Sequence, residues 1–102
     1  MRLLTKELEQ TLPKLYATEH IKIEEKIVHI KYFTPDSNWS WYITEYDPEE
    51  RIFFGYVIGQ YKEWGYISLN ELEMTTGPLG LNIERDLHFT KTEVKNIKEI
   101  EC

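Results

Sequence analysis

Leucine recurs at positions 4, 8 and 12 of "LLTKELEQTL", the step that puts side chains on one face of a helix. Thr5 is the expected N-cap, and Glu7 falls in the first turn, where a carboxylate complements the helix dipole. Pro13 lacks a donor and disfavours a helical Leu12, so the segment should stop there. The pattern predicts a short helix within 3–12, with Leu15 and Tyr16 packing back onto the same core.

From about Glu25 the period changes from helical to strand-like. "KIVHIKYF" (26–33) is rich in β-branched and aromatic residues and places Val28, Ile30 and Tyr32 on one face. "TPDSN" (34–38) reads as a turn, with Asp36 and Asn38 able to bond nearby backbone. "WSWYITEY" (39–46) then alternates, Trp39, Trp41 and Ile43 facing one way, Ser40, Tyr42 and Thr44 the other. "DPEE" (47–50) is a turn that joins this strand to "RIFFGYVIG" (51–59) as an antiparallel hairpin. Gly55 inside the return strand marks a bulge or a close backbone approach. "GYISL" (65–69) supplies a fourth strand.

Ser68 followed by Glu71 is a capping-box spacing and predicts a short helix to about Met74. Gly77 is placed to end that helix in a left-handed conformation, Pro78 cannot continue it, and Gly80 allows a second turn. Leu81 and Ile83 should return to the core, with Glu84, Arg85 and Asp86 locking the return against the sheet. "DLHFT" (86–90) is the expected last edge strand, and the charged tail 91–102 reads as a weak helix or a frayed end. The fold expected is α+β in one domain: a short N-terminal helix, an antiparallel sheet of four to five strands, and a short helix near 69–74.

Composition limits what such a domain does. The 102 residues carry 12 Lys+Arg against 18 Asp+Glu, a net charge of −6. Counterion release cannot favour binding of an anion that the surface repels, so direct contact with nucleic acid is not expected. An acidic surface suits a basic protein partner, although the same charge also serves solubility alone. No apolar run approaches the ~18 residues that cross a bilayer, and charges interrupt the start of the chain where a secretory signal would be apolar. One cysteine, Cys102, excludes an internal disulfide framework and fits a reducing cytoplasm.

No residue pattern names a reaction. His20, His29, His88 and Cys102 are scattered, without the short paired spacing of a zinc site, so no metal is expected. Ser40, Thr44 and Ser68 lack a glycine elbow, and a terminal Cys102 is poorly placed for an oriented thiolate. "GPLGLN" puts proline and leucine where a phosphate cradle needs free N–H groups and a lysine, which argues against nucleotide binding; no cofactor is expected. Glu84 and Asp86 would share a face if extended and could work as paired acids with His88, whereas Arg85 between them points to a structural clamp on a carboxylate elsewhere. The surface candidates are Glu45, Asp47, Glu49 and Glu50 at the hairpin tip, whose field would steer a basic partner, and the nearby aromatics Tyr61 and Trp64. Each has a plainer role open to it, as a solvated turn or as ordinary packing.

The ordered set "YFTPD", "TEYDPEE", "FG", "GYISL", "ELE" and "GPLGLNIERDLHF" resembles the domain-of-unknown-function family 2958. The resemblance runs from "LLTKEL" to about Phe89, with Trp64 where a leucine is usual and a short loop at 59–63. Gly77, Pro78, Gly80, Glu84, Arg85 and Asp86 form its strongest signature. The family implies a setting on bacterial plasmids, phages and integrative elements, and it brings no catalytic residue. Together with the charge, it leads to the expectation of a non-catalytic, cytoplasmic binding module. The most concrete form is an inhibitor of a host defence nuclease, a CRISPR effector or restriction enzyme. The alternatives are an accessory in plasmid or phage replication or transfer, dimeric through an exposed strand edge, and a hydrolase using Glu84, Asp86 and His88.

Overall fold

A computed structural model describes residues 1–101, and its architecture is α+β. Helix α1 (Lys6–Thr11) starts where Thr5 Oγ1 accepts from the Leu8 N–H, and it ends before Pro13 with Leu12 extended. Strands β1 (Ile27–Val28), β2 (Ile30–Phe33), β3 (Ser40–Asp47), β4 (Ile52–Ile58) and β5 (Lys62–Ser68) follow. Helix α2 (Leu69–Met74) is capped by Ser68, whose Oγ accepts from the Glu71 N–H at 3.2 Å. Short strands β6 (Glu84–Arg85) and β7 (Thr92–Glu93) complete the chain. The main sheet is antiparallel, in the order β5-β4-β3-β2-β6, and β1 pairs with β7 in a small second sheet.

Strand β3 lies at the centre because both its faces are apolar. Trp41, Ile43 and Tyr46 join Ile30, Tyr32, Phe53 and Ile67 on the first face, covered by Leu3, Leu4, Leu12, Leu69, Leu72 and Ile83. Tyr42 and Tyr56 lie on the second face under Val28, Val94, Ile97 and Ile100. Burying a side chain of this size contributes about 1.5–3 kcal/mol, so each layer matters to a domain this small. The N-terminal segment is tied down by polar contacts as well. Tyr32 donates its hydroxyl to the Leu3 carbonyl at 2.7 Å, and Arg85 donates to the carbonyls of Arg2 and Leu3 at 2.6 and 3.1 Å.

The strict alternation expected for 39–46 breaks at a β-bulge. Ile43 pairs with Gly55 and Glu45 with Phe54, leaving Thr44 as the extra residue. Thr44 stays buried by donating its hydroxyl to the Phe54 carbonyl at 3.0 Å. Past the bulge the phase reverses, so Tyr46 joins the first core and Glu45 faces the second side of the sheet. Gly55 serves the same site, since a Cβ there would run into the Tyr42 carbonyl.

Other expectations shift for local reasons. Val28 does not share a core with Ile30 and Tyr32, because the chain breaks at His29 and Val28 packs on the second face. Tyr16 does not return to the core; it is exposed, with a left-handed φ of 71°. The left-handed glycine is Gly80 (φ 84°), not Gly77. Residues 76–82 form a hairpin in which Gly77 N–H donates to the Leu81 carbonyl at 2.9 Å. Gly77 is needed because Asp36 occupies the space of its Cβ, and that carboxylate accepts from Leu79 N–H at 2.8 Å. The last edge strand is Glu84–Arg85 rather than 86–90, where Asp86 instead accepts from the His88 N–H to hold a turn. The tail through residue 101 is neither a regular helix nor frayed. Val94, Ile97 and Ile100 sit on successive three-residue turns and close the second core.

Candidate functional site

The bulge creates a buried ion pair that the alternating pattern hides. Glu45 and Lys26 lie 3.8 Å apart with side chains only 4% and 9% exposed. Glu45 accepts from the backbone N–H groups of Tyr16 and Thr18 at 2.9 and 3.1 Å and from the Thr18 hydroxyl. Lys26 in turn donates to the Thr18 carbonyl and hydroxyl at 2.6 and 2.8 Å. The left-handed turn at Tyr16 aims its N–H at Glu45 and its hydroxyl at that of Tyr66, 3.2 Å away. This hydrogen bond pushes the Tyr66 phenol up. Phe54 and Trp64 stack at 5.9 Å beside the pair and wall a cavity of about 250 Å³ with Tyr16, Ile23 and Tyr66.

A second, larger groove of about 440 Å³ opens on the first face. Its floor holds Trp41, Val57 and Ile67, with Trp39 stacked on Trp41 at 5.9 Å and lying over Gly59. Thr34, Ser37, Glu71, Thr75 and Thr76 also line it.

The surface residues expected from sequence do not form one site. Asp47, Glu49 and Glu50 occupy the β3–β4 turn, where Asp47 Oδ1 accepts from the N–H groups of Glu49 and Glu50. Arg51, left-handed at φ 55°, pairs with Glu73 at 3.1 Å and hydrogen-bonds Asn70. Glu45, expected at this tip, is instead in the interior. Tyr61, 78% exposed, sits in the β4–β5 turn at the other end of the strands, about 20 Å away. Trp64 is half-buried against Tyr56 and Phe54, so its first role is packing.

The clamp and acid–base readings of 84–86 also separate. Arg85 grips backbone carbonyls of the N-terminal segment, not a carboxylate. Glu84 and His88 are exposed, while Asp86 Oδ1 is engaged by the His88 N–H, and the two cavities that Asp86 lines include neither Glu84 nor His88. Among the described residues no group of three His, Cys, Asp or Glu is placed to hold a metal; Cys102 lies outside them. Among them, too, no helix is long and apolar enough to cross a membrane.

His29, at the break between β1 and β2, is half-buried, and its Nδ1 is enclosed without a partner among the described residues. Burial first, and the positive charge of Lys91 second, lower its pKa from 6.5. The unfolded chain therefore binds the proton more tightly. The contribution of neutral His29 to stability is complete above pH 6.5 and is lost as pH falls through the lowered folded value. Urea midpoints of the native protein should fall on acidification from about pH 7 to about pH 5 more than those of His29→Gln. Parallel curves for the two proteins would contradict this assignment.

The class defined by these features is a small α+β domain with an antiparallel sheet covered on both faces and carrying an aromatic groove on each side. The chain belongs to the family described as "Protein of unknown function (DUF2958)", which matches residues 3–97. The match extends past Phe89 into the tail, in keeping with the packing of Val94 and Ile97. Among curated proteins and among solved structures, nothing matches the chain.

Proposed function

We propose that this protein is a non-catalytic acidic binding module that engages a basic surface of another protein. The observation that carries the reading is the hairpin end at 47–51. Asp47, Glu49 and Glu50 project from a turn ordered by its own Asx bonds, Glu73 stands beside them, and Arg51 is already paired. Lys14, exposed and bridged to Tyr46, and Arg2, which lines a pocket with Arg51 and Glu73, are neighbouring positive charges, so the acidic patch is the 47–50 turn itself. Preordered carboxylates lose little freedom on binding, and they steer a cationic partner from a distance. Combined with the net charge of −6, this suits a groove that normally holds a nucleic-acid backbone. The concrete version is an inhibitor of a host defence enzyme acting on nucleic acid, a CRISPR effector or restriction enzyme, carried by a mobile element.

The experiment is capture of such an enzyme by the intact protein, with protection of its target DNA as the functional readout. Reversing Asp47, Glu49 and Glu50 to lysine should weaken capture at low salt by at least about ten-fold, equivalent to about 1.4 kcal/mol, and flatten its salt dependence. Unchanged capture and protection would remove the reading. A second reading, an accessory in plasmid or phage replication or transfer that self-associates, draws on the edge of β5, unpaired among the described residues.

A further inference from the structure

Strand β5 borders the sheet, and among the described residues no strand lies beyond it. Its hydrogen-bonding phase is fixed at both ends: Leu69 N–H donates to the Arg51 carbonyl, and Gly59 N–H to the Tyr61 carbonyl. Antiparallel ladders alternate, and the β4–β5 register is unbroken, so Glu63, Gly65 and Ile67 turn their N–H and C=O groups towards β4. Lys62, Trp64 and Tyr66 therefore turn theirs outward. Such an edge is a ready template for another extended chain.

The two grooves flank this edge on opposite faces and meet at Tyr66. An added strand projects successive side chains to alternate faces, so one set would reach the Trp39–Trp41 groove and the other the Tyr16–Trp64 groove. Exposed Glu71 lines the first groove, exposed Glu63 pairs across the sheet with Val57 of that groove, and exposed Glu19 lines the second, whereas Lys26 and Lys62 are paired with Glu45 and Glu101. We infer that the β5 edge binds an extended segment of a partner protein, bearing aromatic or large aliphatic side chains at alternate positions with Lys or Arg beside them. This rests on the reading of a basic protein partner and says how it is held. A second copy of the chain fits less well, because each copy brings a charge of −6 and the same carboxylates to the contact.

The probe is a synthetic peptide of alternating lysine with phenylalanine or valine, beside a version N-methylated at every second amide. Titrated into the full-length protein and followed by amide NMR, the first peptide should slow exchange at the amides of Lys62, Trp64 and Tyr66. N-methylation should weaken binding by about ten-fold or more, since it removes several backbone hydrogen bonds worth about 0.5–1.5 kcal/mol each. Tyr66→Pro, which deletes an outward N–H and leaves the β4 ladder alone, should do the same. Equal affinity for both peptides, no binding, protection elsewhere, or protection that grows with protein concentration alone would each overturn the inference. Capture of an enzyme through the hairpin end with no edge protection overturns the edge alone. Edge protection with no captured partner overturns the proposed function alone.

Discussion

Replacing Glu45 with alanine lowers the unfolding free energy by about 3–5 kcal/mol, the range for removing one partner of a buried ion pair. The loss is large because Glu45 satisfies three groups besides Lys26: the N–H groups of Tyr16 and Thr18 and the Thr18 hydroxyl. Without it, a lysine that is 9% exposed is left beside Phe54 and Trp64 with only Thr18 to solvate it. Glu45→Gln keeps an acceptor and should fall between alanine and the native protein. The double variant Lys26→Met/Glu45→Leu recovers most of the loss, because removing both charges removes the desolvation cost together with the attraction. Urea unfolding followed by circular dichroism, with the slope unchanged, checks all three. A loss below about 1 kcal/mol for Glu45→Ala would mean that the pair behaves as a solvated surface contact.

The second large effect lies in the tail. Truncation after Thr90 removes β7 and the side chains of Val94, Ile97 and Ile100, which cover Tyr42 and Tyr56. Three buried aliphatic residues at about 1.5–3 kcal/mol each, less the entropy of ordering the tail, put the net loss on the order of 5 kcal/mol. That is comparable to the whole stability of a domain this size, so the truncated chain should lose its cooperative transition and bind a hydrophobic dye. Tyr42 gives an independent readout. Burial pushes its phenol up to about 12, with Glu99 and then Asp86 adding smaller upward contributions. Spectrophotometric titration of the truncated protein should bring that step back towards 10, and a step that stays near 12 would show the face still covered.

The elements legible in the sequence are those fixed by local chemistry. Thr5 and Ser68 cap the two helices as their spacing foretells, and "DPEE" closes the β3–β4 hairpin. What misleads is phase. Thr44 is β-branched and fits the alternation, so nothing in its identity marks it as the bulged residue, and Glu45 is counted with the tip carboxylates in consequence. The trace that was present is the spacing of Trp41, Ile43 and Tyr46, a step of two followed by a step of three on one face. Val94, Ile97 and Ile100 carry a similar message, since steps of three fit short 3₁₀ turns better than a regular helix. Gly77 illustrates a different limit. Its need for a missing side chain comes from Asp36, remote in sequence, and no local rule reaches that far.

The extra residue in β3 also constrains how chains of this family can be aligned. Losing or gaining a residue between Ile43 and Glu45 would exchange the faces of every following position in the strand. A lineage could survive that only by rewriting Glu45, Tyr46 and their neighbours together. Length variation should therefore gather in the turns at 34–38 and 59–61. A gap placed at Thr44 would superimpose the charged interior of one chain on the aromatic core of another.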